Sequence, residues 1–214
     1  MAEPLDKTRV PQATVPRLAR YLRVLHRLER DGIPKVSSKE LAEKLDANAA
    51  QIRKDFSYFG EFGVRGVGYE VSYLIGELSR CLGLDVSWNV VIVGAGKLGG
   101  ALARYRAFRE EGFNLMGIFD ASGRVVGSDV DGLKVLPERE VTEFIRANDV
   151  QIAILTVPAE AAQIVADKCI EGGVKGIVNF APARLAPAPG VFIRQVDLST
   201  ELMVVSFYLS QTAQ

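Results

Sequence analysis

Hydrophobic residues near the start of the chain follow the spacing of an amphipathic helix. Apolar side chains recur at intervals of three and four, at Val15, Leu18, Leu22, Leu25 and Leu28. This spacing places them on one face of a helix and predicts that the face is buried. We expect Thr14 to cap the helix, with Pro16 in its first turn, and Asp31-Gly32 to end it.

Three further helices are predicted before residue 86. Ser37 and Glu40 have the spacing of a capping box, so one helix should occupy residues 38–45. Another short helix is expected at residues 49–58, and a longer one at residues 71–84. Between these two, glycine recurs at positions 60, 63, 66 and 68, which predicts a tight hairpin.

The pattern changes at Trp88, where short apolar runs begin to alternate with helical spacing. Runs rich in valine and isoleucine are typical of strands buried on both faces. The expected strands are residues 89–93, 115–119, 151–157, 176–180 and 191–196. One helix is expected directly after the first strand, and two more at residues 137–148 and 159–171. This alternation predicts an α/β fold with a Rossmann-type, doubly wound parallel sheet.

A final helix, predicted at residues 198–209, is apolar on most sides and therefore needs a partner surface. We expect three segments in all. A winged helix-turn-helix DNA-binding domain should occupy residues 1–86, a dinucleotide-binding domain residues 87–197, and a C-terminal helix residues 198–214.

Composition and charge narrow the class of protein. The chain has 214 residues, 48% of them hydrophobic, which is enough for two domain cores. Basic and acidic residues balance at 26 each, but residues 1–70 carry a net charge of +3 and the remainder −3. This asymmetry slightly favours nucleic-acid binding by the first domain.

Other function classes find little support in the sequence. Cys81 and Cys169 lack the spacing of metal ligands, so we expect buried, reduced thiols and no metal site. No apolar run approaches the ~20 residues of a membrane span, and we expect a cytoplasmic protein without membrane contact.

The strongest chemical signal is a G-x-G-x-x-G motif between the first strand of the second domain and the helix that follows. Its residues are Gly94, Ala95, Gly96, Lys97, Leu98 and Gly99. The first glycine permits a tight turn, the second lets the backbone approach a pyrophosphate, and the third lets helix and strand pack closely. Free N–H groups at the start of the helix favour phosphate binding.

Further candidate nucleotide contacts follow three other strands. Asp120 ends the next strand, where an acid can bind a ribose hydroxyl, and its charge favours NAD over NADP. Two other turns at the same edge of the sheet could line the nicotinamide and adenine crevice. They consist of Thr156, Val157 and Pro158, and of Asn179, Phe180, Ala181 and Pro182.

The two short helices of the first domain have the spacing of a helix-turn-helix, the second being the recognition helix. Gln51, Arg53, Lys54 and Ser57 on that helix offer groups suited to base edges and phosphates. Arg65 lies at the tip of the glycine-rich hairpin, where a wing could reach the minor groove. A small helical domain with a solvated basic face is the alternative.

Residues for catalysis are scarce. The one histidine, His26, lies among arginines in the first helix, where a surface position is expected. The second domain has no histidine for hydride-transfer chemistry, and no substrate domain follows the last strand. A nucleotide site without such chemistry favours a sensor over an enzyme.

The sequence resembles a known family. Residues 51–60 and 65–69 are similar to the recognition helix and wing of the Rex redox-sensing transcriptional repressors, which adds Tyr58 and Gly66 to the candidate DNA contacts. Residues 94–99, 155–158 and 179–182 are similar to the second domain of that family. The resemblance covers residues 10–209.

The resemblance implies a homodimeric repressor that binds a palindromic operator and responds to the ratio of NADH to NAD⁺. It implies that the C-terminal helix is exchanged between subunits, and that NADH closes the dimer and releases DNA. It also implies a polar switch in which Asp197 pairs with Arg23 in one state and with Tyr105, a further nucleotide-site residue, in the other.

Three alternatives remain open. The chain could be a small NAD-dependent oxidoreductase with an accessory N-terminal domain. It could be a regulator that responds to another nucleotide, such as a coenzyme A derivative or NADP. It could also be a DNA-binding module whose Rossmann domain serves as a dimerisation scaffold.

Overall fold

The computed structural model describes residues 10–58 and 68–212. The chain divides into two compact units, Met1–Val86 and Ser87–Gln214. Each unit has a hydrophobic core of its own.

The first unit is helical. The elements among its described residues are α1 (Thr14–Arg30), β1 (Lys35–Val36), α2 (Ser38–Leu45), α3 (Ala49–Ser57), β2 (Tyr69–Glu70) and α4 (Val71–Leu82). The predicted stripe of α1 is buried from Leu18 to Leu28, but Val15 is 44% exposed, and Tyr21 is buried in addition. The core forms where this face meets α2, α3 and α4.

One of the two predicted helix caps is present. The Ser37 hydroxyl accepts a hydrogen bond from the Glu40 amide at 3.1 Å, and the Ser37 amide donates to the Glu40 carboxylate at 2.7 Å. The predicted Thr14 cap is wrong, because Thr14 is already helical and Ala13 occupies the N-cap. The buried Thr14 hydroxyl instead accepts a hydrogen bond from Arg17 at 3.1 Å.

A small antiparallel sheet, absent from the sequence-based prediction, joins β1 to β2, with Val36 opposite Tyr69. Gly68 precedes β2 with a φ of +88°, and a Cβ there would lie 2.7 Å from the Val36 carbonyl oxygen. Glycine is therefore required where the two strands meet. Of the predicted hairpin, whose glycines are at positions 60, 63, 66 and 68, residues 60–67 lie outside the described residues.

The second unit is built on a seven-stranded sheet. Its elements are β3 (Trp88–Val93), α5 (Lys97–Ala103), α6 (Ala107–Glu110), β4 (Phe113–Asp120), β5 (Asp129–Val130), β6 (Leu133–Pro137), a 3-10 helix (Glu138–Glu140), α7 (Val141–Ala147), β7 (Ile152–Leu155), α8 (Ala159–Gly172), β8 (Gly176–Asn179), β9 (Phe192–Gln195) and α9 (Leu198–Thr212).

The strands lie side by side in the order β5-β6-β4-β3-β7-β8-β9. All of them run parallel except β5, which is antiparallel to its neighbour β6. From β3 the chain adds β4 and β6 on one side of the sheet and then β7, β8 and β9 on the other. This reversal between β3 and β7 confirms the predicted doubly wound fold. Alternate residues of β3 face opposite cores. Val91 and Val93 face the core of α7 and α8, whereas Val90 and Ile92 face the core that includes α5.

The edge at β5 and β6 differs from the sequence-based expectation. A two-residue turn at Asp131 and Gly132, both with positive φ, joins two antiparallel strands. An Asp-Gly pair favours such a turn. The helix predicted at residues 137–148 begins later, because Pro137 is extended and ends β6.

The C-terminal helix α9 exposes its large apolar side chains. Leu202 is 71% exposed, Met203 65% and Phe207 59%. Burial of such groups is strongly favourable, so this helix presents a surface suited to a partner. None of the described helices is long and apolar enough to cross a membrane.

Candidate nucleotide and nucleic-acid sites

The glycine motif forms the turn between β3 and α5. Gly94 has a φ of +104°, and a Cβ there would lie 2.6 Å from the Thr156 carbonyl oxygen. A Cβ on Gly99 would lie 1.8 Å from the Gly94 carbonyl oxygen, whereas one on Gly96 would meet no protein atom within 4 Å. The protein itself therefore requires the first and third glycines, and the exposed second one leaves space for a ligand.

Thr156 supports this turn from the neighbouring strand. Its hydroxyl donates a hydrogen bond of 2.7 Å to the Gly94 carbonyl oxygen. Val157 is half-buried against the core, and Pro158 occupies the exposed N-cap of α8. Because β7 lies beside β3, residues 156–158 border the glycine turn. The sequence suggested a lining role for Thr156, and the structure adds this supporting one.

Asp120 ends β4 beside the same turn. Its two carboxylate oxygens accept hydrogen bonds of 2.7 Å from the amides of Ala95 and Ser122. A cavity of about 280 Å³ opens next to Asp120, lined also by Glu138, Arg139 and Lys168. Asp120 thus links the glycine turn to a cavity at the carboxyl edge of the sheet, where doubly wound folds bind ligands.

Asn179 lies at the end of β8 and is fully buried. Its amide nitrogen donates to the Ala183 carbonyl and to Gln195, each at 2.8 Å, and its carbonyl oxygen accepts from the Ala181 amide at 3.0 Å. These bonds hold the turn at residues 179–183 against β9. Phe180 is half-buried, Ala181 is buried, and Pro182 is exposed at this turn.

The residues of the suggested switch lie on exposed parts of both units. Tyr105 is 55% exposed, with its ring edge-on to Phe108 at 5.2 Å. Arg23 is exposed on α1. Asp197 accepts hydrogen bonds from the Ser199 hydroxyl and amide, at 2.5 and 2.9 Å, which hold its pKa below the usual value. Asp197 therefore caps α9, which the Asp-x-Ser spacing could have indicated.

The candidate DNA-contacting side chains of α3 differ in their surroundings. Lys54 is exposed, and Ser57 donates to the Lys54 carbonyl at 2.8 Å. The exposed Arg53 donates to the Ser38 hydroxyl of α2 at 2.9 Å. Tyr58, at the C-cap, is half-buried. Arg65 and Gly66 of the suggested wing lie outside the described residues.

A buried polar cluster behind α3 was not predicted. The side chain of Asp55 is fully buried and forms a salt bridge of 2.6 Å with Arg17 of α1. Burial alone would raise the pKa of Asp55, but hydrogen bonds from Arg17, Tyr21 and Gln51 outweigh it and hold the pKa below the usual value. Burial and the bond to Asp55 raise the pKa of Tyr21 to about 12.

The remaining titratable candidates lie apart from these sites. His26 is half-exposed on α1, with Nδ1 3.6 Å from a Glu29 carboxylate oxygen. Cys81 is half-buried, whereas Cys169 is fully buried, and burial raises its pKa to about 12. Among the described residues, no three His, Cys, Asp or Glu side chains are grouped as ligands for a metal ion.

Comparison with known proteins gives a consistent assignment for both units. A family described as "Putative DNA-binding protein N-terminus" matches residues 9–57, and one described as "CoA binding domain" matches residues 85–183. The redox-sensing transcriptional repressor Rex of Carboxydothermus hydrogenoformans is 47% identical over 199 residues, which covers 93% of this chain and 96% of the relative. The chain belongs to the Rex family.

Other Rex proteins and Rex structures are similarly close. Rex of Streptomyces avermitilis is 46% identical over 204 residues, which covers 95% of this chain and 81% of the relative. The crystal structure of RSP with beta-NAD⁺ and operator DNA superposes with a TM-score of 0.91 at 41% identity, covering 97% and 95% of the two chains. RSP with beta-NADH gives a TM-score of 0.88 at 40% identity, with 97% of each chain covered. The Rex fold predicted from the sequence is thus confirmed.

Proposed function

We propose that this protein is a DNA-binding transcriptional repressor that responds to the ratio of NADH to NAD⁺. One observation carries the proposal. A helix-turn-helix unit and a glycine-turn Rossmann unit occupy one chain that is 41% identical, over nearly its whole length, to a protein crystallised with both NAD⁺ and operator DNA. Such a repressor acts on chromosomal DNA, so its expected location is the cytoplasm.

The dinucleotide is expected to bind along the carboxyl edge of the sheet. Gly96 leaves open space for the pyrophosphate, and Asp120 borders the cavity where a ribose hydroxyl can donate to its carboxylate. The negative charge of Asp120 disfavours a 2′-phosphate, so NAD(H) is preferred over NADP(H).

The two oxidation states differ in charge at the nicotinamide ring, which is cationic in NAD⁺ and neutral in NADH. A closed, apolar environment penalises the cation through desolvation. NADH therefore favours a closed state. To shift the ratio of closed to open dimers from 1:99 to 99:1, NADH must bind the closed state more tightly by about 5.5 kcal/mol in total. Two sites in a dimer each supply about half of this difference.

The dimer partner is expected to cover α9. Its exposed apolar side chains would be buried if the helix were exchanged between two copies of the chain. In this arrangement Asp197, at the start of α9, exchanges partners between Arg23 and Tyr105 as the dimer opens and closes. Both arginine and tyrosine side chains can donate hydrogen bonds to its carboxylate.

The rival functions predict different ligand behaviour. The description "CoA binding domain" favours a test of coenzyme A, since a regulator that responds to another nucleotide would share this architecture. An oxidoreductase would turn over NADH with a small carbonyl substrate. The relatives at 46–47% identity are named as transcriptional repressors, which supports the sensor.

A nucleotide panel tests the proposal against these rivals. The full-length chain is titrated with NADH, NAD⁺, NADPH and coenzyme A by calorimetry, and NADH oxidation is followed with pyruvate and acetaldehyde. We expect NADH to bind more tightly than the other three, without turnover. Preferential binding of coenzyme A or NADPH would indicate a different regulator, and steady NADH oxidation would indicate an enzyme.

A further inference from the structure

Asp55 lies on the inner side of the candidate recognition helix, one turn after Gln51. Its side chain is 0% exposed. A buried carboxylate is costly unless it is paired and hydrogen-bonded. The helix that is expected to contact DNA therefore carries a charged group directed away from DNA and into the core of its own domain.

Each oxygen of this carboxylate accepts two hydrogen bonds. Oδ2 accepts from Arg17 Nε at 2.6 Å and from the Tyr21 hydroxyl at 2.7 Å. Oδ1 accepts from Arg17 Nη2 at 2.7 Å and from Gln51 Nε2 at 2.8 Å. Since Arg17 and Tyr21 belong to α1, the cluster joins α1 to α3 through charge-assisted bonds of fixed geometry.

The bond to Gln51 determines how its side-chain amide is oriented. An ionised carboxylate only accepts hydrogen bonds, so the nitrogen of the amide must face Asp55. The amide oxygen, Oε1, then lies on the other side, together with the remaining N–H. Glutamine recognises adenine by accepting from N6 and donating to N7, so its contribution to specificity depends on which amide atom is presented.

We propose that Asp55 is a positioning residue for DNA recognition, which is anchored to α1 by Arg17 and Tyr21 and orients the Gln51 amide. The inference rests on the proposed DNA-binding function. It assigns sequence discrimination to a residue that does not touch DNA. It also separates Asp55 from the exposed Lys54, which we expect to bind phosphate and to affect affinity rather than specificity.

The test compares base discrimination among variants of the full-length chain. The wild-type protein first selects palindromic duplexes from a random library, and the selected duplex and its single-base variants are then measured by fluorescence anisotropy. The variants are Gln51→Ala, Asp55→Asn, the double variant, and Lys54→Ala as a control on the same helix.

We expect Gln51→Ala to lose about tenfold in discrimination at one position of each half-site. Asp55→Asn should relax discrimination at the same position, and it should add no further loss there in the Gln51→Ala background. Lys54→Ala should weaken binding to all duplexes evenly and lower the salt slope by about two units, because one phosphate contact is lost in each half-site.

Two results would overturn the inference: an even loss of affinity for all duplexes in Asp55→Asn, or additive losses of discrimination in the double variant. If Asp55→Asn is unfolded at the assay temperature, Tyr21→Phe decides, because it removes one donor and keeps the salt bridge. The discrimination of Tyr21→Phe between bases should fall at the position that Gln51 reads, because Asp55 loses one of its four hydrogen bonds. An unchanged profile would contradict the inference. Failure of the wild-type chain to select any sequence would instead overturn the proposed function.

Discussion

The Thr156 hydroxyl, at the end of β7, donates a hydrogen bond of 2.7 Å to the carbonyl oxygen of Gly94, at the end of the neighbouring strand β3. The same carbonyl oxygen lies 1.8 Å from the position of a Cβ on Gly99. The first peptide of the glycine turn is therefore held by a hydroxyl and closely approached by the first turn of the helix that follows. These contacts within the protein define the geometry of the turn.

Replacement of Thr156 by valine should weaken nucleotide binding through this turn. Valine keeps the shape of the side chain but leaves the Gly94 carbonyl without its donor, a loss of about 1 kcal/mol. We expect NADH affinity to fall about fivefold, as measured by calorimetry. Thr156→Ser, which keeps the hydroxyl, is the control, and equal effects of the two substitutions would contradict the role of the hydroxyl.

Gly96→Ala and Gly99→Ala should both lose NADH binding, but for different reasons. A Cβ on Gly99 would meet the Gly94 carbonyl oxygen at 1.8 Å, so Gly99→Ala should lower the melting temperature and abolish NADH binding. A Cβ on Gly96 would meet only open space, so Gly96→Ala should fold normally and still lose NADH affinity, because its methyl group occupies space needed by the pyrophosphate.

Gly100 offers a matched control for this pair. The nearest atom to a Cβ there is Arg104 Nη1, at 3.3 Å, at the far end of a flexible side chain that donates to the Gly100 carbonyl oxygen. Gly100→Ala should retain both stability and NADH binding in thermal melts and titrations. Normal NADH affinity in Gly96→Ala would show that the pyrophosphate does not approach this turn.

Stability should depend on Asp55 in a defined pH range. The pKa of Asp55 is lowered in the folded protein, so its contribution is complete above the usual carboxyl pKa and is lost as pH falls through the lower, folded value. At pH 7, Asp55→Asn should cost about 3 kcal/mol, because it breaks a buried pair. The difference from the wild type, measured by urea unfolding, should narrow below about pH 4. A constant difference down to pH 3 would contradict the lowered pKa.

Self-association should depend on the exposed face of α9. Leu202 and Phe207 are 71% and 59% exposed, and burial of each in a dimer contributes about 1.5–3 kcal/mol. We expect the wild type to show twice the chain mass of 23.3 kDa in light scattering, and Leu202→Ser with Phe207→Ser to show the monomer mass.

Ile164 on α8 provides the control for this experiment, since its side chain is 60% exposed but lies outside α9. Ile164→Ser should remain dimeric at the concentrations where the α9 variant dissociates. Dissociation of both variants, or of neither, would contradict an interface centred on α9.

Local patterns in the sequence were sufficient to predict most of the fold. The stripe from Leu18 to Leu28 predicted α1 because burial of one helical face follows from spacing alone. The capping box at Ser37 and Glu40 is equally local. The alternation of short apolar runs with helical spacing after Trp88 predicted the doubly wound fold, because parallel strands are joined by helical crossovers.

Contacts between distant parts of the chain were not predictable in this way. Asp55 meets Tyr21 and Arg17 across separations of 34 and 38 residues, and Asn179 meets Gln195 across 16. Hydrophobic periodicity does not identify polar partners at such distances. The strands β1, β2 and β5 were missed because two residues are too few to show a period. The strand β6, which has five residues, was also missed.

The most direct test of the account is the response of the protein–DNA complex to the two forms of the nucleotide. A fluorescein-labelled palindromic duplex, selected by the full-length chain from a random library, is bound at fixed salt and titrated separately with NADH and NAD⁺ while anisotropy is recorded. We predict that NADH releases the duplex at concentrations where NAD⁺ leaves the complex intact. Equal release by both nucleotides, or release by neither, would contradict a redox-sensing repressor.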